Sequence, residues 1–122
     1  MLSLLIVDDE PEVLSALSDY LGMRLGKEVE GAMSSEAALR MLAPRHELLV
    51  VDFRMPGMDG IELIRAAKQR FPNLPCILFT AYKDDRVAQR AAAAGAAVTL
   101  SKEIIPIDLA KRIQDLLARA HG

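Results

Sequence analysis

Short, mostly apolar runs recur along the chain, each followed by a longer amphipathic stretch, and nothing else in the sequence restricts the fold so much. The clearest runs are residues 2–7, 48–51, 76–79 and 97–100, with a weaker one at 28–33. Such a run reads as a strand covered on both faces, the environment of a parallel sheet. Parallel neighbours need long crossovers, and the amphipathic stretches between the runs are long enough to supply them as helices. The pattern predicts five β-α units, an α/β fold with one five-stranded parallel sheet between two helical layers.

Ordinary end signals mark the helices. The first has Asp9 or Glu10 as its cap, Pro11 in its first turn, where the missing N–H has no helical partner to lose, and Gly26 at its end. Its apolar face is Val13, Leu14, Leu17, Leu21 and Leu25. Ser34 or Ser35 caps the second, which buries Ala38, Leu39 and Leu42 and stops before Pro44. Asp59 is placed to cap a third helix over 60–71, with Ile61, Leu63 or Ile64, and Ala67 inward. Asp84 or Asp85 opens an alanine-rich fourth helix that ends at Gly95. The fifth spans 106–120, with Leu109, Ile113, Leu116, Leu117 and Ala120 on one face.

A length of 122 residues suits a single domain, expected to occupy 1–122, with a core able to fold without staples. Cys76 is the sole cysteine, so no disulfide can form within the chain, and a reducing cytoplasm is the expected setting. In the run Cys76-Ile77-Leu78-Phe79 the thiol reads as a small buried hydrophobe. A formal net charge of −2 argues against nucleic-acid binding through bulk charge. The apolar opening is cut off by Asp8 and Asp9 and has no basic region before it, so no signal peptide is expected. No run approaches membrane-spanning length.

In an open parallel sheet the working crevice lies beyond the carboxyl ends of the strands, where strand order reverses. The residues expected there are Asp8 and Asp9, then Asp52, then Thr80 and Ala81, then Ser101 and Lys102. Three carboxylates in one crevice repel one another and require a cation. Oxygen ligands suit Mg²⁺, which keeps waters and a phosphate in its shell. A carboxylate can act as a nucleophile and form an acyl phosphate. Lys102 could offset charge on the phosphoryl oxygens, and Thr80 could donate a hydrogen bond to them. Glu10 extends the acidic run but reads as a first-turn residue that favours the helix dipole. Taken singly, each residue has a plain structural role as a cap, a turn, a solvated lysine or a strand threonine. Their placement at four strand ends is what points to phosphoryl transfer.

Over essentially its whole length the sequence resembles the receiver domains of two-component response regulators. The resemblance rests on Leu5-Ile6-Val7-Asp8-Asp9-Glu10-Pro11, on Val50-Val51-Asp52-Phe53-Arg54-Met55-Pro56-Gly57-Met58-Asp59-Gly60, on Thr80-Ala81 and on Lys102. It implies a chemotaxis-receiver-like, flavodoxin-like (βα)5 three-layer sandwich of strand order 2-1-3-4-5. It implies that Asp52 accepts a phosphoryl group from the phosphohistidine of a sensor histidine kinase or a phosphotransfer protein. The domain would then be a switch that assists its own phosphorylation and dephosphorylation, not an enzyme. Mg²⁺ is implied on Asp9 directly, on Asp8 through water, on Asp52 and on the backbone carbonyl of Arg54. The Thr80 hydroxyl, the Ala81 N–H and Lys102 are implied as phosphoryl contacts, with Met55-Pro56-Gly57 shaping the loop beside them. The resemblance also implies a face of helix four, strand five and helix five that pairs receivers or meets a partner, where Arg86, Arg90, Asp108, Lys111 and Arg112 would be exposed. The output domain or partner is left unnamed, and neither direct nucleic-acid contact nor a membrane is implied.

Three features depart from the family pattern. Glu103 follows Lys102 where the family has a proline after a cis bond; a cis bond before a non-proline residue costs roughly 3 kcal/mol, so a trans bond is expected. Thr99 holds a strand-five position that is often Tyr or Phe, so no aromatic ring there can report phosphorylation. Arg54 and Tyr82 are both large at positions that gate water, which predicts slow loss of phosphate. Glu103 and Thr99 keep open a second reading, a pseudo-receiver that acts as a phosphorylation-independent interaction module. A phosphoaspartate hydrolase is a third, disfavoured because Arg54 sits where its second acid would be expected. The alanine-rich fourth helix is expected to pack shallowly and so to be able to move. His121-Gly122 reads as a tail, on either a stand-alone receiver or a piece of a longer regulator.

Overall fold

In the computed structural model, which describes residues 2–81 and 84–121, strand and helix alternate five times. The strands are β1 (Ser3–Val7), β2 (Glu28–Ala32), β3 (His46–Asp52), β4 (Cys76–Thr80) and β5 (Val98–Ser101). The helices that follow them are α1 (Pro11–Leu25), α2 (Ser35–Met41), α3 (Gly60–Arg70), α4 (Asp85–Ala94) and α5 (Pro106–His121). All strand pairs are parallel, and the order β2-β1-β3-β4-β5 is the flavodoxin-like order expected.

Every residue of β1, β3 and β4 is buried, so their runs are apolar without alternation. The two-residue period of a strand still divides them between two cores. Leu5, Val7, Leu49, Val51, Cys76 and Leu78 pack with residues of α2, α3 and α4. Leu4, Ile6, Leu48, Val50, Ile77 and Phe79 pack with residues of α1 and α5.

The caps fix where the helices begin. Ser34 Oγ accepts the Ala37 N–H, and Asp84 accepts the Val87 N–H. Asp59 and Glu62 form a reciprocal capping box at the start of α3. Gly26 and Gly95 end α1 and α4 with φ of 63° and 111°, a left-handed conformation that glycine adopts without steric cost.

Three expectations shift. Strand β3 starts two residues before its apolar run, because His46 and Glu47 are buried against partners from β2 and from the turn after α1. Ala120 is exposed rather than inward, three positions past the buried Leu117. Of the two caps expected for α1, Asp9 or Glu10, Glu10 holds the N-cap position, so it does not lie in the first turn, and its side chain makes no capping bond. Among the described residues no peptide bond is cis, so Lys102–Glu103 is trans as expected. Tyr82 lies outside the described residues.

Candidate functional site

Parallel pairing brings the carboxyl ends of β1, β3, β4 and β5 to one edge, and backbone hydrogen bonds just past the strands hold them there. The Asp8 N–H donates to Ala32 O at 3.0 Å, the Phe53 N–H to Phe79 O at 3.0 Å, and the Lys102 N–H to Thr80 O at 2.8 Å. The four stretches expected to meet therefore do so on a fixed backbone.

Lys102 joins them. Its Nζ lies 3.1 Å from Asp8 Oδ2 and 3.2 Å from Asp52 Oδ1. Asp8 and Asp52 are only 1% and 7% exposed, which leaves their charge little water, so the shared ammonium is the main compensation in view. Burial pushes the Asp52 carboxyl above its usual range; the Lys102 charge opposes the rise and the Asp8 charge adds to it. Burial alone would lower the Lys102 pKa, but its hydrogen bond to Asp8 and the charges of Asp52 and Asp8 outweigh that and raise it. Thr80 is buried at the end of β4, and Ala81 follows it at the surface.

Sequence reasoning set Glu10 apart from the acidic site, and the structure corrects this. Asp8, Asp9 and Glu10 each offer a carboxylate oxygen within 4.8 Å of the other two. Both Asp8 oxygens are already engaged, Oδ1 by the Glu10 N–H at 2.9 Å and Oδ2 by Lys102. An all-oxygen set with more carboxylates than cations is the donor chemistry of a hard divalent ion, so these residues fit Mg²⁺. The signal for Glu10 was the unbroken Asp8-Asp9-Glu10 run before Pro11: a residue ahead of that proline stays out of the helix and beside its neighbours.

The loop after Asp52 is held from several sides. The Gly60 N–H donates to Phe53 O at 2.8 Å, and Ser35 Oγ donates to Met58 O at 2.8 Å. A Cβ on Gly60 would run into the Asp52 carbonyl oxygen and come within 2.9 Å of the Leu78 side chain. Gly60 is thus more than the first residue of α3, because its missing side chain lets the helix approach the strand end that carries Asp52. Met55 is buried, and Gly57 turns the loop with φ of 78°. The Arg54 side chain is exposed and places its guanidinium 5.8 Å from the centre of the Phe53 ring. Thr99 is buried on β5, with no ring at that position.

Known proteins of one family match this chain in sequence and in fold. The family described as response regulator receiver domain matches residues 4–114. The DNA-binding transcriptional activator DevR/DosR of Mycobacterium tuberculosis is 36% identical over 95% of this chain and 54% of its own length. The response regulator protein FleR of Pseudomonas aeruginosa is 40% identical over 94% of this chain and 24% of its own. The chain thus spans about half or less of these curated relatives. Among solved structures, a CheY-like response regulator receiver domain protein from Methanospirillum hungatei is similar with a TM-score of 0.93 at 28% identity. That match covers 99% of this chain and 97% of the other.

Proposed function

The chain belongs to the response regulator receiver domain family of two-component systems, and from that premise we propose that Asp52 is the phosphoacceptor of a signalling switch. The observation that carries this reading is the Lys102 ammonium held between Asp52 and Asp8. It stations a cation beside the one carboxylate that lies at the end of the central strand.

The donor is the phosphohistidine of a sensor histidine kinase or of a phosphotransfer protein. An Asp52 carboxylate oxygen attacks phosphorus; the P–O bond forms as the P–N bond breaks, and the departing imidazole keeps the electron pair and takes up a proton. The product is an acyl phosphate on Asp52. Lys102 exchanges its contact with the Asp52 oxygen for one with the phosphoryl group, and its charge acts where negative charge accumulates. The Thr80 hydroxyl and the Ala81 N–H donate to the same oxygens. Mg²⁺ would be held by Asp9, Asp52 and the Arg54 backbone carbonyl and would supply further positive charge against the phosphoryl oxygens. Asp8, with both oxygens engaged, suits a role through water, and Glu10 stands close enough to share in it.

Residues 1–122 act as one receiver unit. It passes its state to an output domain or partner protein through α4, β5 and α5, where Arg86, Arg90, Asp108, Lys111 and Arg112 are exposed. The reading is tested by treating the protein with Mg²⁺ and acetyl phosphate and weighing it intact beside Asp52→Asn. A gain of one phosphoryl group in the parent alone is expected. No gain in the parent, or an equal gain in both, would overturn the assignment.

A further inference from the structure

The chain leaves β5 through a turn that closes on Ser101. Lys102, Glu103, Ile104 and Ile105 follow before Pro106 opens α5. None of the four is a glycine or a proline, so neither a ring nor a missing side chain sets the turn. Hydrogen bonds set it. The Ile104 N–H donates to Ser101 O at 3.0 Å, and the Glu103 N–H donates to Ser101 Oγ at 3.1 Å. The second bond exists because Glu103 carries an N–H that a proline would lack. On the other side, the Lys102 N–H donates to Thr80 O at 2.8 Å. The Lys102 backbone is thus held between its own bond to β4 and two bonds that tie the next residues back to Ser101.

The ammonium of Lys102 depends on such an anchor. It rides on a flexible four-carbon stem, yet its Nζ meets Asp8 Oδ2 at 3.1 Å and Asp52 Oδ1 at 3.2 Å together. A charge aimed at a reacting group loses rate when it is misplaced by as little as about 1 Å. Ser101 is half-buried in the last register pair of the sheet, opposite Thr80, one residue before that lysine. A serine oxygen that accepts a backbone N–H two residues on is a local turn device, and here it encloses the residue that carries the cation.

We infer that Ser101 is a positioning residue, whose side-chain oxygen closes the turn that aims Lys102 at the phosphoryl group. The inference rests on Asp52 as phosphoacceptor. It gives Ser101 no contact with the reacting atoms, so the whole effect of Ser101 passes through the ammonium of Lys102.

Intact mass followed over time with acetyl phosphate and Mg²⁺ gives the rate of phosphoryl uptake in the parent, Ser101→Ala and Ser101→Thr, with urea midpoints taken on the same proteins. Ser101→Ala should take up one phosphoryl group about two- to tenfold more slowly than the parent, the size of one lost hydrogen bond. Ser101→Thr keeps the hydroxyl and should restore the parent rate. The decisive comparison places Ser101→Ala in a Lys102→Met chain, where the second change should slow uptake no further. Should Lys102→Met take up no phosphate, the urea midpoints carry the comparison, and Ser101→Ala should lower the midpoint less in Lys102→Met than in the parent. Parent-like uptake in Ser101→Ala, equal slowing in Ser101→Ala and Ser101→Thr, or an effect of Ser101→Ala that is the same with and without Lys102 overturns the inference and leaves Asp52 as phosphoacceptor. No uptake in the parent overturns the phosphoacceptor reading itself, and the inference with it.

Discussion

Lys102 separates two buried carboxylates that would otherwise face each other without a cation. Replacing it with methionine keeps much of the side-chain length and removes the charge. Asp8 and Asp52 then lose their shared hydrogen-bonded partner, and leaving a buried polar group unsatisfied costs about 1–3 kcal/mol. Lys102→Met is therefore expected to lower the urea midpoint by that equivalent and to slow phosphoryl uptake from acetyl phosphate. An unchanged midpoint would mean that the ammonium contributes nothing to holding the pair. At this scale the sequence was informative about position and silent about pairing. Asp8, Asp52, Thr80 and Lys102 could be placed at strand ends from the apolar runs alone. That one lysine bridges the two aspartates depends on side-chain directions that no spacing specifies.

At the scale of elements, Gly60 shows how closely a helix start can approach a strand end. The Asp52 carbonyl oxygen and Leu78 occupy the space a Cβ would need, so Gly60→Ala must push α3 away from β3. Overpacking of this kind typically costs about 1–3 kcal/mol, and thermal unfolding should show a loss in that range. Because the displaced atom is the backbone of Asp52 itself, phosphoryl uptake should fall as well. The ten elements were legible because the strong strands are apolar on both faces and because Ser34, Asp59, Asp84, Gly26 and Gly95 mark helix ends with side chains suited to that task. The start of β3 was not legible. His46 and Glu47 look like turn residues until Glu30 and Lys27, distant in sequence, are seen beside them. The approach of the Arg90 guanidinium to within 6.0 Å of the Phe53 ring centre was hidden for the same reason, since it joins a loop to a helix distant in sequence.

The whole molecule has a second polar cluster at the opposite end of the sheet, and this one governs stability rather than chemistry. Glu30 accepts two bonds from Arg45, both at 2.7 Å, and one from Ser3 Oγ at 2.8 Å. These contacts, the Arg45 hydrogen bonds foremost, hold its pKa down to about 2. The His46 ring is fully buried; its Nδ1 accepts the Ala43 N–H, and its Nε2 lies 3.1 Å from Glu30 Oε2 but too poorly aligned for a hydrogen bond. Burial pushes the His46 pKa below 6.5, with the Glu30 charge opposing the shift. Both shifts are downward, so both groups bind protons more readily in the unfolded chain, and acidification weakens the fold. The His46 contribution is present above pH 6.5 and is lost as pH falls below it. The Glu30 contribution is present above pH 4.5 and is lost toward about 2. Urea midpoints measured on either side of pH 6.5 should fall on acidification in the parent and fall less in His46→Gln. Equal slopes would mean that His46 does not contribute to the loss of stability on acidification.

The overall architecture followed from the alternation of runs because crossovers between parallel strands admit few topologies, and that same constraint gathered the site. The claim that everything else depends on is that Asp52, and no neighbouring carboxylate, carries the phosphoryl group. Asp8, Asp9 and Glu10 are close enough to be rivals in principle, and the intact mass of the parent alone does not tell them apart from Asp52. Peptide mapping of protein treated with acetyl phosphate and Mg²⁺ does. The phosphoryl group is expected on the peptide that contains Asp52, with none on the peptide that contains Asp8, Asp9 and Glu10. Phosphate located on the latter peptide would contradict that claim.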